Sequence, residues 1–107
     1  MTIWHEMAEQ RLLQYGCVLD NGEVKHSSFP SEYRKHLAVA RQSLIYIFKN
    51  VGKHVDGYDE AHMEVGDTHF SGYLIDENRI LVCLCAAETN QHDVRAFIES
   101  NKQRFSS

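Results

Sequence analysis

The chain has 107 residues, 43% of them hydrophobic, with one proline and a net charge of −4 when histidine is neutral. That length suits one domain with a single core, and that hydrophobic content argues against disorder. The basic residues Arg34, Lys35, Arg41, Lys49, Lys53 and Arg79 are scattered, with no basic stripe carrying interleaved aromatics, which argues against nucleic acid as a partner.

No stretch approaches the ~20 apolar residues of a membrane span, and Met1-Thr2-Ile3-Trp4-His5-Glu6 lacks the basic start and apolar core of a signal peptide. The seven histidines would move the charge toward zero or positive below about pH 6.5. Three cysteines form an odd set. Cys83 and Cys85 lie two apart on one strand, poor geometry for bonding each other. Reduced thiols in a soluble, cytoplasmic protein are the expectation.

In chain order, Ile3, Trp4, Met7 and Ala8 fit one face of a short helix. Asn21-Gly22 then separates two strand-like runs, a hairpin signal because both central residues of a type I′ turn need positive φ. The strands are expected near 12–20 and 23–28. Phe29-Pro30-Ser31-Glu32 opens a long helix that Ser28 or Ser31 can cap, with Pro30 tolerated in the first turn. It should run to about Asn50 and stop near Gly52. Tyr33, Leu37, Ala40, Leu44, Ile47, Phe48 and Val51 fall within one stripe of that helix, which packs on a sheet. Ala38 with Ile45, and Val39 with Tyr46, repeat at seven residues on a different side and ask for a second neighbour.

A polar link with a turn at Asp56-Gly57 leads to strands 61–65 and 68–75 around Gly66-Asp67. Asp76-Glu77-Asn78 turns the chain into Ile80-Leu81-Val82-Cys83-Leu84-Cys85-Ala86-Ala87, apolar at odd and even positions alike and so covered on both faces. Asn90 offers an N-cap with Asp93 at N3. Val94, Phe97, Ile98, Asn101 and Phe105 line one side of the closing helix over 90–105, while Arg95, Glu99 and Lys102 form a charged, solvated side. The order is (α)ββαβββα, an α+β domain over 1–107, with no repeat or interdomain linker.

Two-plus-three antiparallel strands around a long helix, with a helix closing the chain, is the order of profilin-like folds. Within them Gly16-Cys17-Val18-Leu19-Asp20-Asn21-Gly22-Glu23-Val24, and the hairpin and strand 61–87 leading into helix 90–105, resemble the roadblock/dynein light chain family. The chain departs from that family in a shorter, less apolar first helix. The resemblance implies a five-stranded antiparallel sheet in the order 2-1-5-4-3, flanked by helices. It also implies a homodimer whose long helices pack together and whose third strands pair edge to edge. Members of the family serve as non-enzymatic scaffolds, often for small Ras-like GTPases or for motor and signalling assemblies, and no cofactor is implied. The residues point the same way: strand 61–65 should be an unprotected edge, a template for pairing. Ala38, Val39, Ile45, Tyr46, His62, Met63 and Glu64 are the expected self-association surface, which a two-fold dimer would satisfy.

The best candidate for chemistry is a histidine cluster. A two-residue turn at Gly66-Asp67 sets Glu64 opposite His69 and His62 opposite Ser71, and a three-residue turn at 76–78 sets Cys85 opposite His69 and Cys83 opposite Ser71. His62, Glu64, His69, Cys83 and Cys85 then share one face, with donors suited to zinc. No compact metal motif supports that use, and half-buried strand residues with cysteines as small hydrophobes are the plainer reading. Burial should raise the thiol pKa values and slow their labelling. Asp59-Glu60 and Asp76-Glu77 read as solvated turn acids, and no phosphate-cradling glycine run exists. His5, His26, His36, His54 and His92 read as surface histidines, and Tyr46 as an interface anchor. The alternative to a scaffold is a PAS-like sensor that binds a small ligand or metal in a cavity near His62, His69 and Cys85. One long continuous helix, in place of several short ones, disfavours it.

Overall fold

A computed structural model describes residues 3–50, 59–85 and 89–105. The expected helix-stripe residue Val51, the turn at Asp56-Gly57, His54 and the strand end at Ala86-Ala87 lie outside them. The elements are α1 (Ile3–Glu9), β1 (Tyr15–Asp20), β2 (Glu23–Lys25), α2 (Arg34–Asn50), β3 (Glu60–Val65), β4 (Thr68–Leu74), β5 (Arg79–Leu84) and α3 (Gln91–Ser100). They form a five-stranded sheet in the order β2-β1-β5-β4-β3, each neighbouring pair antiparallel.

Turn chemistry sets the two hairpins. Asn21 and Gly22 take φ of 52° and 85°, as a type I′ turn requires. Gly66, at φ 65°, opens the turn between β3 and β4. At 76–78, Asp76 Oδ1 accepts from the N–H groups of Asn78 and Arg79, while Arg79 closes on the same carboxylate at 2.7 Å. Asp76 is thus the exposed turn acid that the sequence suggested, and its carboxylate also holds the turn together.

The central strand β5 is covered on both sides, as an alternation-free apolar run demands. Leu81 and Cys83 face Trp4, Met7, Val94, Phe97, Ile98 and Phe105 from the α1 and α3 layer. Ile80 and Val82 face the α2 layer with Cys17, Leu19, Ala40, Leu44 and Phe70. Leu37, Ile47 and Phe48 of the α2 stripe join that second cluster. At Gly72 α2 lies close against the sheet: a Cβ there would lie 2.6 Å from Leu44 Cδ2.

Several boundaries differ from the sequence reading. The first strand begins at Tyr15, because Leu12 and Leu13 are core plugs in the link after α1, 5% and 3% exposed. β2 ends at Lys25, where His26 takes φ 49° and leaves the extended region. Ser28 then latches to β1 instead of capping a helix: its hydroxyl accepts from Gly16 N–H and its own N–H donates to Gly16 O, at 2.9 and 2.8 Å. The long helix starts with a 3-10 turn, Ser31–Tyr33, that no side chain caps. Tyr33 stacks there with Tyr15 and Phe29 rather than joining the α2 stripe. The closing helix ends at Ser100, followed by a 3-10 turn Lys102–Phe105 that seats Phe105.

Candidate functional site

Among the described residues β3 is the edge strand of the sheet, and its register with β4 is the expected one, Glu64 opposite His69 and His62 opposite Ser71. Ser71 also pairs with Cys83 on β5, so the predicted register around the 76–78 turn holds. His62, Ser71 and Cys83 thus lie in one row across three strands, on the α3 side. The imidazoles of His62 and His69 stack at 5.7 Å between centroids. The five residues singled out for metal binding do not converge: among the described residues, no group of three or more His, Cys, Asp or Glu is placed to hold an ion. Sharing a face is not sharing a point. Both Glu64 and His62 stand exposed on the edge strand, but His62 is engaged on both ring nitrogens.

Those engagements bring in residues the sequence reading passed over. His62 Nδ1 lies 2.7 Å from Ser71 Oγ, and His62 Nε2 lies 2.6 Å from Glu60 Oε2. Arg95 of α3 reaches back to the same edge, pairing with Glu60 and Asp59 at 2.7 Å each. Its guanidinium also sits 5.7 Å from the centre of the Tyr73 ring. Arg95 is therefore not part of a solvated helix face, and Asp59-Glu60 is not a free turn pair. Burial pushes the Glu60 carboxyl up, but the hydrogen bonds and charges of Arg95 and His62 outweigh it and hold Glu60 below the ordinary carboxylate range. The charged pattern along α3 could flag Arg95 as available, but nothing local names its partner 35 residues away.

The three thiols differ. Burial pushes Cys17 up to about 12. Burial also drives Cys83 well above the ordinary thiol value. Cys85 goes the other way: a hydrogen bond from Cys83 lowers it, burial opposes, and the Ser71 hydroxyl lowers it further. Cys85 follows the last residue of β5 and is only partly buried, so it is not the mid-strand, fully buried thiol that the sequence suggested. It opens on a cleft of about 530 Å3 at the end of the sheet where β4 begins and β5 ends, which Asp67, His69, Ser71 and Gln91 also line. Burial pushes the Tyr73 hydroxyl, which has no hydrogen-bond partner among the described residues, well above the ordinary phenol value.

The expected association residues divide. Val39 and Tyr46 are 50% and 67% exposed, and Ala38 is exposed beside them on α2. Met63 and Ile45 are half-buried and packed on the α2-side core, with Ile45 Cδ1 3.6 Å from where a Cβ on Gly22 would lie. Ile45 thus supports its own turn, with Arg41 donating to Gly22 O beside it. His36 is no plain surface histidine either, since its Nδ1 is buried with no hydrogen-bond partner among the described residues.

A sheet in this order with α2 on one face and two helices on the other defines the roadblock/LC7 fold. No protein-family model and no curated protein matches the sequence. Solved structures do resemble it. A roadblock/LC7 domain from Streptomyces avermitilis superposes with a TM-score of 0.65 at 15% identity, over 95% of this chain and 92% of its own. The gliding protein MglB from Thermus thermophilus gives 0.65 at 12% identity, over 96% of this chain and 82% of its own. A second Streptomyces avermitilis roadblock/LC7 domain gives 0.63 at 17%, with both chains covered in full. At such identities the likeness establishes the fold. Among the described residues, no helix is long and apolar enough to cross a membrane.

Proposed function

We propose that the chain is a non-enzymatic interaction module that works as a homodimer in the cytoplasm. Its partner would be another protein, a small Ras-like GTPase or a signalling or motor assembly being the class the family resemblance implies. The observation that carries this reading is the coincidence of an open edge, β3, with the exposed Val39 and Tyr46 on α2, the helix packed against that edge. A large aromatic that is 67% exposed on a helix contributes nothing to its own core, but it suits the centre of an interface. The outward N–H and C=O groups of β3, which no strand among the described residues pairs, offer strand pairing to a second copy. The fold likeness to roadblock/LC7 domains and to MglB supports the same reading.

Sedimentation velocity at tens of micromolar tests it. The wild-type chain is expected to sediment as a dimer. Tyr46→Glu should dissociate it, because a charge buried unpaired in an apolar contact costs several kcal/mol, and about 3 kcal/mol weakens association roughly a hundred-fold. A monomeric wild type would overturn self-pairing. A dimeric Tyr46→Glu, with its helix content intact, would overturn this placement of the interface.

A further inference from the structure

Charge is unevenly shared along this chain. Its net is −4, yet α2 carries Arg34, Lys35, Arg41 and Lys49 and no acidic residue. Elsewhere Lys25, Arg79, Arg95, Lys102 and Arg104 each hold a carboxylate. Among the described residues none of the α2 cations does, and Arg41 donates instead to Gly22 O.

The helix sorts these cations by side. At about 100° per residue, Arg34, Ala38, Arg41, Ile45 and Lys49 fall in one strip about 80° wide. That strip looks toward the β1–β2 turn: Arg41 and Ile45 meet Gly22, and Lys49 borders a cleft of about 380 Å3 that Asn21 and Gly22 also line. Val39 and Tyr46 lie further round, toward the side on which His36 meets the β3–β4 turn at Gly66. The strip is a different surface from the self-pairing one and does not depend on it.

The sheet beside the strip is thinly covered. Strands lie about 4.8 Å apart, so five of them span about 19 Å, more than one helix of about 10 Å covers. Two helices, α1 and α3, pack on the opposite face, whereas among the described residues this face has α2 and the short 3-10 turn before it. Val24 of β2 marks the shortfall. Its cross-strand neighbour Leu19 is wholly buried in the α2-side core, yet Val24 is 42% exposed.

We propose that this strip of α2, with Val24 on the neighbouring hairpin, docks an acidic segment of another protein, its carboxylates pairing with Arg34, Arg41 and Lys49 and its apolar side chains covering Ala38, Ile45 and Val24.

The spacing describes the segment. From Arg34 to Lys49 the helix rises about 22 Å at about 1.5 Å per residue. An extended chain of about seven residues covers that length, with carboxylates at every third or fourth position meeting the three cations. The cleft at the Lys49 end has Ile45, Phe48, Leu74 and Ile80 in its wall and Glu77 on its rim, so the side chain that enters it is apolar rather than acidic. A second α2 is the wrong occupant, because it would set cation against cation. Glu32 and Glu77, both exposed, flank the strip near its two ends, which suits a narrow peptide better than a membrane or a nucleic-acid backbone. Ala38 and Ile45 thus have a neighbour of a different kind from that of Val39 and Tyr46.

The test follows the amide signals of the isotope-labelled full-length chain during titration with a synthetic peptide. In this probe glutamate recurs at every third or fourth residue with leucine and phenylalanine between, and a control peptide has lysine in place of each glutamate. Shifts are expected at Gly22, Val24 and the strip from Arg34 to Lys49, with the acidic peptide alone. Affinity should fall several-fold between about 0.05 and 0.5 M salt. Arg34→Glu combined with Lys49→Glu should weaken binding at least about tenfold, since each change turns an attraction into a repulsion. Both side chains are exposed, so the helix content and thermal midpoint of this variant should match the wild type. Tyr46→Ser leaves the charge of the strip alone and should bind the peptide as the wild type does, whether or not it still self-associates. Failure of the acidic peptide to bind at about 1 mM would overturn the proposal. So would equal binding of the lysine peptide, shifts gathered on another face, or an unchanged affinity in the doubly reversed chain. Displacement of the peptide by phosphatidylserine vesicles or by duplex DNA would reassign the strip to those anionic surfaces and overturn it too.

Discussion

Glu60 is the residue that ties the edge strand to the closing helix, through its bonds to His62 and Arg95. Its carboxyl is held below its ordinary value of 4.5 by Arg95 and His62 against the opposing effect of burial. The folded state therefore binds its proton less readily than the unfolded chain. Stability from this group is complete above the unfolded value and is lost as pH falls through the lower folded value. Glu60→Gln should lower the urea midpoint at neutral pH and flatten its decline on acidification. A variant that declines as steeply as the wild type would mean that Glu60 is not part of the acid response. Some slope should remain, because Asp76 is also held low: burial raises it, but its hydrogen bonds to Arg79 and Asn78 prevail. At this scale the sequence is least legible. Two adjacent acids look like a wet turn whether or not an arginine arrives from another helix, and a serine within a strand does not announce that a histidine claims its hydroxyl.

At the scale of elements, local chemistry reads well and endings read poorly. Asn21-Gly22 and Gly66-Asp67 disclosed their hairpins because positive φ is demanded by a turn and supplied by few residues. Asn90 was legible for the same kind of reason: its side chain accepts from His92 N–H at 2.8 Å and satisfies a donor that the first turn of α3 leaves open. Asp93 adds a negative charge in that turn. Asn90→Ala should cost about 1 kcal/mol, read as a lower denaturant midpoint with an unchanged slope. Strand ends were illegible where apolar residues continue past the last ladder bond. Leu12 and Leu13 are as hydrophobic as β1 itself, yet they fill the space beneath α1. Ser28 was misread because a serine before a proline-led helix suits a cap, whereas the nearer unpaired backbone was that of Gly16.

For the whole molecule, the order of elements was enough to fix both layers. An unrelieved apolar β5 must be central, and a strand covered on both sides needs a helix layer on each. The register followed once both turn lengths were right, and so the row of His62, Ser71 and Cys83 was foreseen without the bonds that link it. Self-pairing belongs to this scale as well, since it concerns the sum of exposed surface rather than any one contact. If the folded chain pairs and the unfolded chain does not, mass action ties stability to concentration. The thermal midpoint should then rise with each tenfold increase in protein and become constant in Tyr46→Glu. A wild-type midpoint independent of concentration would count against a folding-linked dimer.

The contact between Leu44 and the bare backbone at Gly72 has a consequence for descent. The two positions divide a fixed volume across the boundary between helix and strand, so a methyl group acquired at one must be given up at the other. Proteins built on this plan that carry alanine or serine at the strand position are expected to show valine or alanine at the facing helix turn. Introducing Gly72→Ala alone should therefore harm the protein more than introducing it together with Leu44→Val.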